Sequence, residues 1–197
     1  MPSLEKEIFA NLIGTLFDVP IMGNLYRPHY VERMIAIALG ESFVLMSADW
    51  AGWDIEHRDG VRIEVKQSAA LQTWTNRPSH AGRPYSGSFD IEPRKGYWAD
   101  GNKWVNEPGR QAHIYIFAWH SITDPAIADH RDASQWRFFV VLERDLPQGQ
   151  KTISRTVVEK KWPSVTFDKL CNAVNGQINS LTRIGSSPQD QCVPRKG

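Results

Sequence analysis

Two almost uninterrupted apolar runs constrain this chain most: His113-Ile114-Tyr115-Ile116-Phe117-Ala118-Trp119 and Trp136-Arg137-Phe138-Phe139-Val140-Val141-Leu142. A strand with one wet face alternates apolar and polar residues, so runs that are apolar at consecutive positions belong to strands covered on both faces. They predict the middle of a sheet that lies between two layers. Helices for those layers can be read directly. Leu4, Ile8, Phe9, Leu12, Ile13, Leu16 and Phe17 recur at helical spacing, predicting a helix over residues 3–17 with a core-facing stripe, ended around Pro20 and Gly23. A second helix should begin at Pro28 and stop before Gly40, with Val31, Met34, Ile35, Ala38 and Leu39 inward. A third, from Ser164 or Thr166, carries Leu170, Cys171, Val174, Ile178 and Leu181. The run Phe43–Met46 and the stretch Ile153–Val158 read as further strands.

With 197 residues, 41% of them hydrophobic, the chain can fill one core, so residues 1–182 are expected to form a single α/β domain and 183–197 a flexible tail. No apolar stretch has the length of a membrane span, and Met1–Glu7 lacks the features of a signal peptide, which predicts a cytoplasmic protein. Cys171 and Cys192 have neither metal-type nor redox-type spacing and are expected to be free thiols. The net charge of +1 announces no polyanionic partner, so any nucleic-acid footprint must be local.

The local chemistry concentrates in residues 52–68. Trp53, Ile55 and His57 alternate with Asp54 and Glu56, and Val61, Ile63 and Val65 with Arg62, Glu64 and Lys66, on either side of Arg58-Asp59-Gly60. A two-residue loop at Asp59-Gly60 would put the charges of the two arms on opposite faces. A three-residue loop with left-handed Gly60 pairs His57 with Val61, Ile55 with Ile63 and Asp54 with Glu64, and keeps the apolar residues together. Carboxylates opposed at roughly 4.5–5.5 Å repel each other. A divalent cation with oxygen ligands compensates such a pair, and Lys66 projects from the same face about 7 Å further on. The competing reading is a solvated sheet face of mixed charge.

Residues 67–111 are punctuated by Gly, Pro, Ser and Asn, with a short helix possible over Ala69–Trp74 and an extended piece at Ser88–Ile91. Trp74, Arg77, Arg83, Arg94, Lys95 and Lys103 lie in this insertion and are candidates for stacking on bases and contacting phosphates. A surface insertion packed on its own tryptophans is the alternative. Glu32, one turn into the second helix, can either point at the hairpin or sit solvated where the helix dipole favours it. His113 and His120 flank one strand at a spacing unsuited to a metal site.

Asp54, nine intervening residues, then Glu64-Val65-Lys66, set within helix, strand, strand, strand, resembles the PD-(D/E)xK nuclease superfamily over residues 28–143. Trp53 stands where the motif's name has proline, and Gln67-Ser68 is a polar continuation similar to that of many members. The resemblance implies a restriction-endonuclease-like mixed central sheet with an αβββαβ core flanked by helices, although no clear pattern for the crossover helix follows Lys66. It implies Mg²⁺, replaceable by Mn²⁺, held by Asp54, Glu64 and the Val65 carbonyl with Glu32 contributing. Lys66 would orient or deprotonate the attacking water, and Gln67 would support the site. It further implies DNA as substrate, a type II restriction, defence or repair role, and a possible homodimer, with no other protein partner. A structure-selective or RNA-directed nuclease, or a binding module without catalysis, are the other readings.

Overall fold

The computed structural model describes residues 3–46, 51–74, 85–99 and 103–185. Helix α1 (Leu4–Leu16) and helix α2 (Arg27–Leu39) precede the strands β1 (Phe43–Leu45), β2 (Ile55–His57) and β3 (Arg62–Ala69). Three short strands follow: β4 (Ser88–Asp90), β5 (Tyr97–Ala99) and β6 (Lys103–Val105). The chain closes with β7 (Ile114–His120), β8 (Trp136–Leu142), β9 (Thr152–Ser154), α3 (Arg155–Lys161) and α4 (Leu170–Gly185).

The hairpin forms in the register its apolar residues demand. Ile55 pairs with Ile63 and Glu56 with Arg62, the His57 N–H donates to the Val61 carbonyl, and Gly60 takes φ 78°. A left-handed glycine supplies the turn at no steric cost. The main sheet has the order β1-β2-β3-β7-β8, with β3 and β7 parallel and every other neighbouring pair antiparallel. The protein is therefore mixed α/β with a mixed sheet.

Alternation along the strands splits the core in two. Ile55, Ile63, Val65, Ile114, Ile116, Phe138 and Val140 face α2 and α4 and pack on Val31, Ile35, Leu170 and Val174. Tyr115, Phe117, Trp119, Phe139 and Val141 face the other way, onto Phe89 and Ile91 at β4, Ile153 of β9 and Val158 of α3. The β4–β9 pair thus covers the second face. Both faces of β7 and β8 are buried as their composition predicts, but only β7 is internal. Strand β8 is terminal, its outer edge closed by reciprocal backbone bonds between Phe138 and Val165.

Four local expectations need correction. The described residues of the crossover from β3 to β7 carry β4, β5 and β6, and the helix of an αβββαβ order is not found among them; Ala69 ends β3 rather than starting a helix. Phe89 and Ile91 supply the apolar cover that a crossover helix would otherwise bring. Residues 153–158 are not one strand: β9 ends at Ser154, whose hydroxyl accepts from the Val157 N–H and caps α3. Finally, α1 buries none of its residues; Leu4, Phe9 and Leu12 lie on the surface of the chain taken alone, not in the core.

Candidate active site

Strand β3 outruns β2, so that among the described residues the β2-facing edge of its second half has no strand partner and is open, and the candidate residues gather at that edge. Asp54 marks the end of pairing. Its N–H donates to the Ile63 carbonyl at 3.0 Å although Ile55 already pairs with Ile63, so Asp54 and Ile55 together oppose one residue. This is a one-residue bulge, a device that re-aims side chains. Asp54 therefore does not sit squarely opposite Glu64, as alternation predicts. Its carboxylate turns along the edge and accepts the Val65 N–H at 2.6 Å. In an extended strand the N–H and C=O of a residue project to the same side, so the Val65 carbonyl also faces this open edge.

The bulge also reverses Trp53. Instead of joining Ile55, its indole N–H donates to Glu56 at 2.8 Å, the Arg62 guanidinium lies 4.8 Å from the ring centre, and the ring packs on Tyr97. Glu64 and Lys66 share that face, opposite Tyr115 and Phe117 of β7. The Lys66 ammonium bonds directly to Glu64 Oε1. Burial works against the Lys66 charge, but Glu64, Asp54 and Asp90 outweigh it and raise its pKa above the ordinary lysine value. Lys66 is thus held as a cation.

The carboxylates are poorly compensated by comparison. Burial, followed by Glu64 and Glu32, pushes Asp54 up to about 8 against the pull of the Val65 N–H and Lys66. Glu32 reaches the same edge from α2 and its pKa is raised, chiefly by burial with a contribution from Glu64, despite His29 3.7 Å away. Asp90 of β4 completes the group. It was absent from the sequence-derived candidates because its nearness to Lys66 depends on β4 crossing the sheet face. The only sequence signal is alternation, which turns Asp90 away from core residues Phe89 and Ile91. Burial raises the Asp90 pKa, but the Glu92 N–H and Arg94, whose guanidinium lies 2.5 Å from its carboxylate, bring it below the usual value.

Gln67 borders a small cavity with Glu32, Asp54 and Lys66 and is anchored from the α2 side. Odd-numbered residues of β3 face α2, and the Gln67 side-chain oxygen accepts from Arg27 Nε at 2.6 Å. The same guanidinium donates to Gln72 at 2.9 Å. Arg27 is 2% exposed and has no ion pair among the described residues; burial lowers its pKa to about 10. This buried clamp fixes α2, and with it Glu32, against β3.

The site opens into a cavity of about 750 Å³ lined by Glu64, Lys66, Asp90, Arg94, Lys95 and aromatic residues of the β5–β6 hairpin. Arg94 and Lys95 therefore line the same cavity as Glu64 and Asp90. Lys103 is exposed on β6, and Trp74 packs edge-on against Tyr85, neither of them lining that cavity. Arg77 and Arg83 lie outside the described residues.

Among the described residues, no three carboxylate, histidine or cysteine groups converge into a ready-made metal cage. The donor set nevertheless fits Mg²⁺, which binds through one or two carboxylates, retains several waters and takes its other ligands from a phosphate. Asp54, Glu64 and the Val65 carbonyl supply that kind of set, and the raised pKa of Asp54 marks negative charge that a cation would relieve. Comparison of the chain with protein-family models, curated proteins and solved structures found no match.

Proposed function

We propose that the protein is a metal-dependent nuclease that hydrolyses phosphodiester bonds in DNA, and that the open edge of β3 is its active site. The observation that carries this reading is the gathering of Asp54, Glu64 and Glu32 around one ammonium, Lys66, beside a cavity lined by aromatic rings and by charges of both signs. Structural ion pairs do not need three partly buried carboxylates around one cation, and such clusters concentrate where charge chemistry is done.

Asp54, Glu64 and the Val65 carbonyl would hold Mg²⁺ or Mn²⁺, with Glu32 adding negative charge nearby. When bound, the cation supplies a polarised phosphate and a water of lowered pKa. Lys66 donates to the phosphate and offsets the charge that grows on it during attack, a task suited to a lysine kept protonated by its neighbours. It is not the proton acceptor; that part falls to a carboxylate of raised pKa, such as Glu32. Arg94 and Lys95 contact the flanking phosphates, and Arg27 with Gln67 keeps the α2 side of the site in place.

Cleavage of plasmid, linear duplex and single-stranded DNA, in Mg²⁺, Mn²⁺ or EDTA, tests the proposal. The wild type should cut only with metal, and Lys66→Ala should reduce the rate by about two orders of magnitude or more, the scale of one lost electrostatic contact to the transition state. Equal cutting by both proteins, or cutting in EDTA, would count against it.

A further inference from the structure

We propose that the cavity beside the carboxylates is a pocket for an unstacked nucleobase, so that the strand to be cut enters unpaired or is locally opened. This rests on the nuclease reading and names the form of its substrate.

The pocket's walls are built for flat apolar rings. Trp98 and Trp104 face each other across the β5–β6 ladder, edge to face with centroids 5.5 Å apart. They remain 39% and 47% exposed, an expensive arrangement for two indoles unless something covers them. The wall is firmly seated. A Cβ on Gly96 would lie 2.2 Å from the Val105 carbonyl and 2.7 Å from the Trp104 ring, so only glycine lets that indole lie against the backbone. Tyr97 is pinned from behind by Trp53 at 5.4 Å. The base of the excursion is closed by reciprocal 2.9 Å backbone bonds between Arg94 and Gly109.

Size and charge narrow the occupant. At about 750 Å³ the cavity is of the size that encloses one small ligand rather than a double helix. Aromatic faces stack on any base. Glu64, Asp90 and Glu92 also line the cavity and Arg94 is paired with Asp90, but Lys95 at its wall has no ion-pair partner among the described residues and can meet a flanking phosphate. Glu64 and Lys66 line the cavity too, so a base held on the tryptophans brings its own phosphodiester towards the site. A duplex can deliver a base there only by turning a nucleotide out of the stack, which is least costly at a mismatch or in a single strand.

The test is fluorescence anisotropy with labelled single-stranded DNA, the same strand carrying one abasic position, and the matching duplex. Each is titrated in EDTA into the full chain and into Trp104→Ala, Trp104→Phe and Trp98→Ala, with cleavage in Mg²⁺ measured in parallel. The single strand should bind at least about tenfold more tightly than the duplex. Trp104→Ala should lose about 5- to 100-fold on the single strand, the range expected for one stacked base, and Trp104→Phe should recover most of it. The abasic strand should bind the wild type as weakly as the intact strand binds Trp104→Ala. Duplex binding equal to single-strand binding, or intact and abasic strands bound alike, would overturn the pocket. Base-dependent binding without cleavage leaves the pocket and removes the nuclease; cleavage of intact duplex unaffected by the tryptophan variants does the reverse.

Discussion

Replacing Asp54 with asparagine should remove activity and yet stabilise the fold, increasingly so as pH rises. Asparagine keeps an oxygen for the Val65 N–H, a bond of 2.6 Å in the wild type, but carries no charge. In the folded protein Asp54 is pushed up to about 8, against an ordinary value of 3.8. Between these values the native state holds a proton that the unfolded chain has already released. Stability therefore falls as pH rises through this window, by about 1.4 kcal/mol per pH unit. The advantage of Asp54→Asn over the wild type should accordingly grow by up to about 4 kcal/mol between about pH 5 and pH 8. Urea unfolding followed by tryptophan fluorescence in EDTA measures it directly. Adding Mg²⁺ should narrow the gap at the alkaline end, because ligand binding to the native wild type stabilises it. A difference that stays constant across the window, or a variant that is less stable at pH 8, would refute the claim that Asp54 is an uncompensated buried carboxylate.

Two further outcomes follow from burial. His130, fully buried with its Nδ1 accepting from the Met22 N–H at 3.0 Å, is pushed down to about 3 by burial and then by Arg27 and His120. Its folded pKa is depressed, so the stability it contributes is present above its ordinary value of 6.5 and is lost as pH falls towards 3. His130→Asn, which retains an acceptor in place of Nδ1, should flatten the acid limb of the pH–stability curve even though lost packing lowers its overall height. On α1, Ile8→Ala should cost under about 1 kcal/mol, whereas Ile35→Ala in α2 should cost about 2–5 kcal/mol. Chemical denaturation at two protein concentrations checks this, and a large, concentration-dependent cost at Ile8 would show that the α1 stripe is covered by a second molecule.

What the sequence made legible follows its periodicities. The two apolar runs located β7 and β8, and a three-residue loop at Arg58-Asp59-Gly60 with its flanking apolar alternation gave the pairing of His57 with Val61 and Ile55 with Ile63. Alternation also put Glu64 and Lys66 on one face. It failed at Asp54, because a bulge inserts a residue without leaving a pattern, and the same bulge sent Trp53 to the opposite face from the one expected. Asp90 and the pairing of Trp98 with Trp104 were illegible for another reason. Asp90 is placed by the long-range packing of Phe89 and Ile91 in one cluster with Phe117 and Phe139, and the two tryptophans by the pairing of two three-residue strands, neither of which local spacing announces. Arg27 shows a third kind of failure: a basic residue at a helix start reads as solvated, and only the fold reveals it as a buried clamp.

The most direct measurement is Mn²⁺ binding, by electron paramagnetic resonance or calorimetry, to the wild type, Glu64→Gln, Asp54→Asn and Lys66→Ala. Because the Lys66 ammonium bonds to Glu64 Oε1, Mn²⁺ binding should be lost in Glu64→Gln and Asp54→Asn but retained, at equal or higher affinity, in Lys66→Ala. Unchanged binding in the two carboxylate variants would contradict the assignment of the open β3 edge as a cation site.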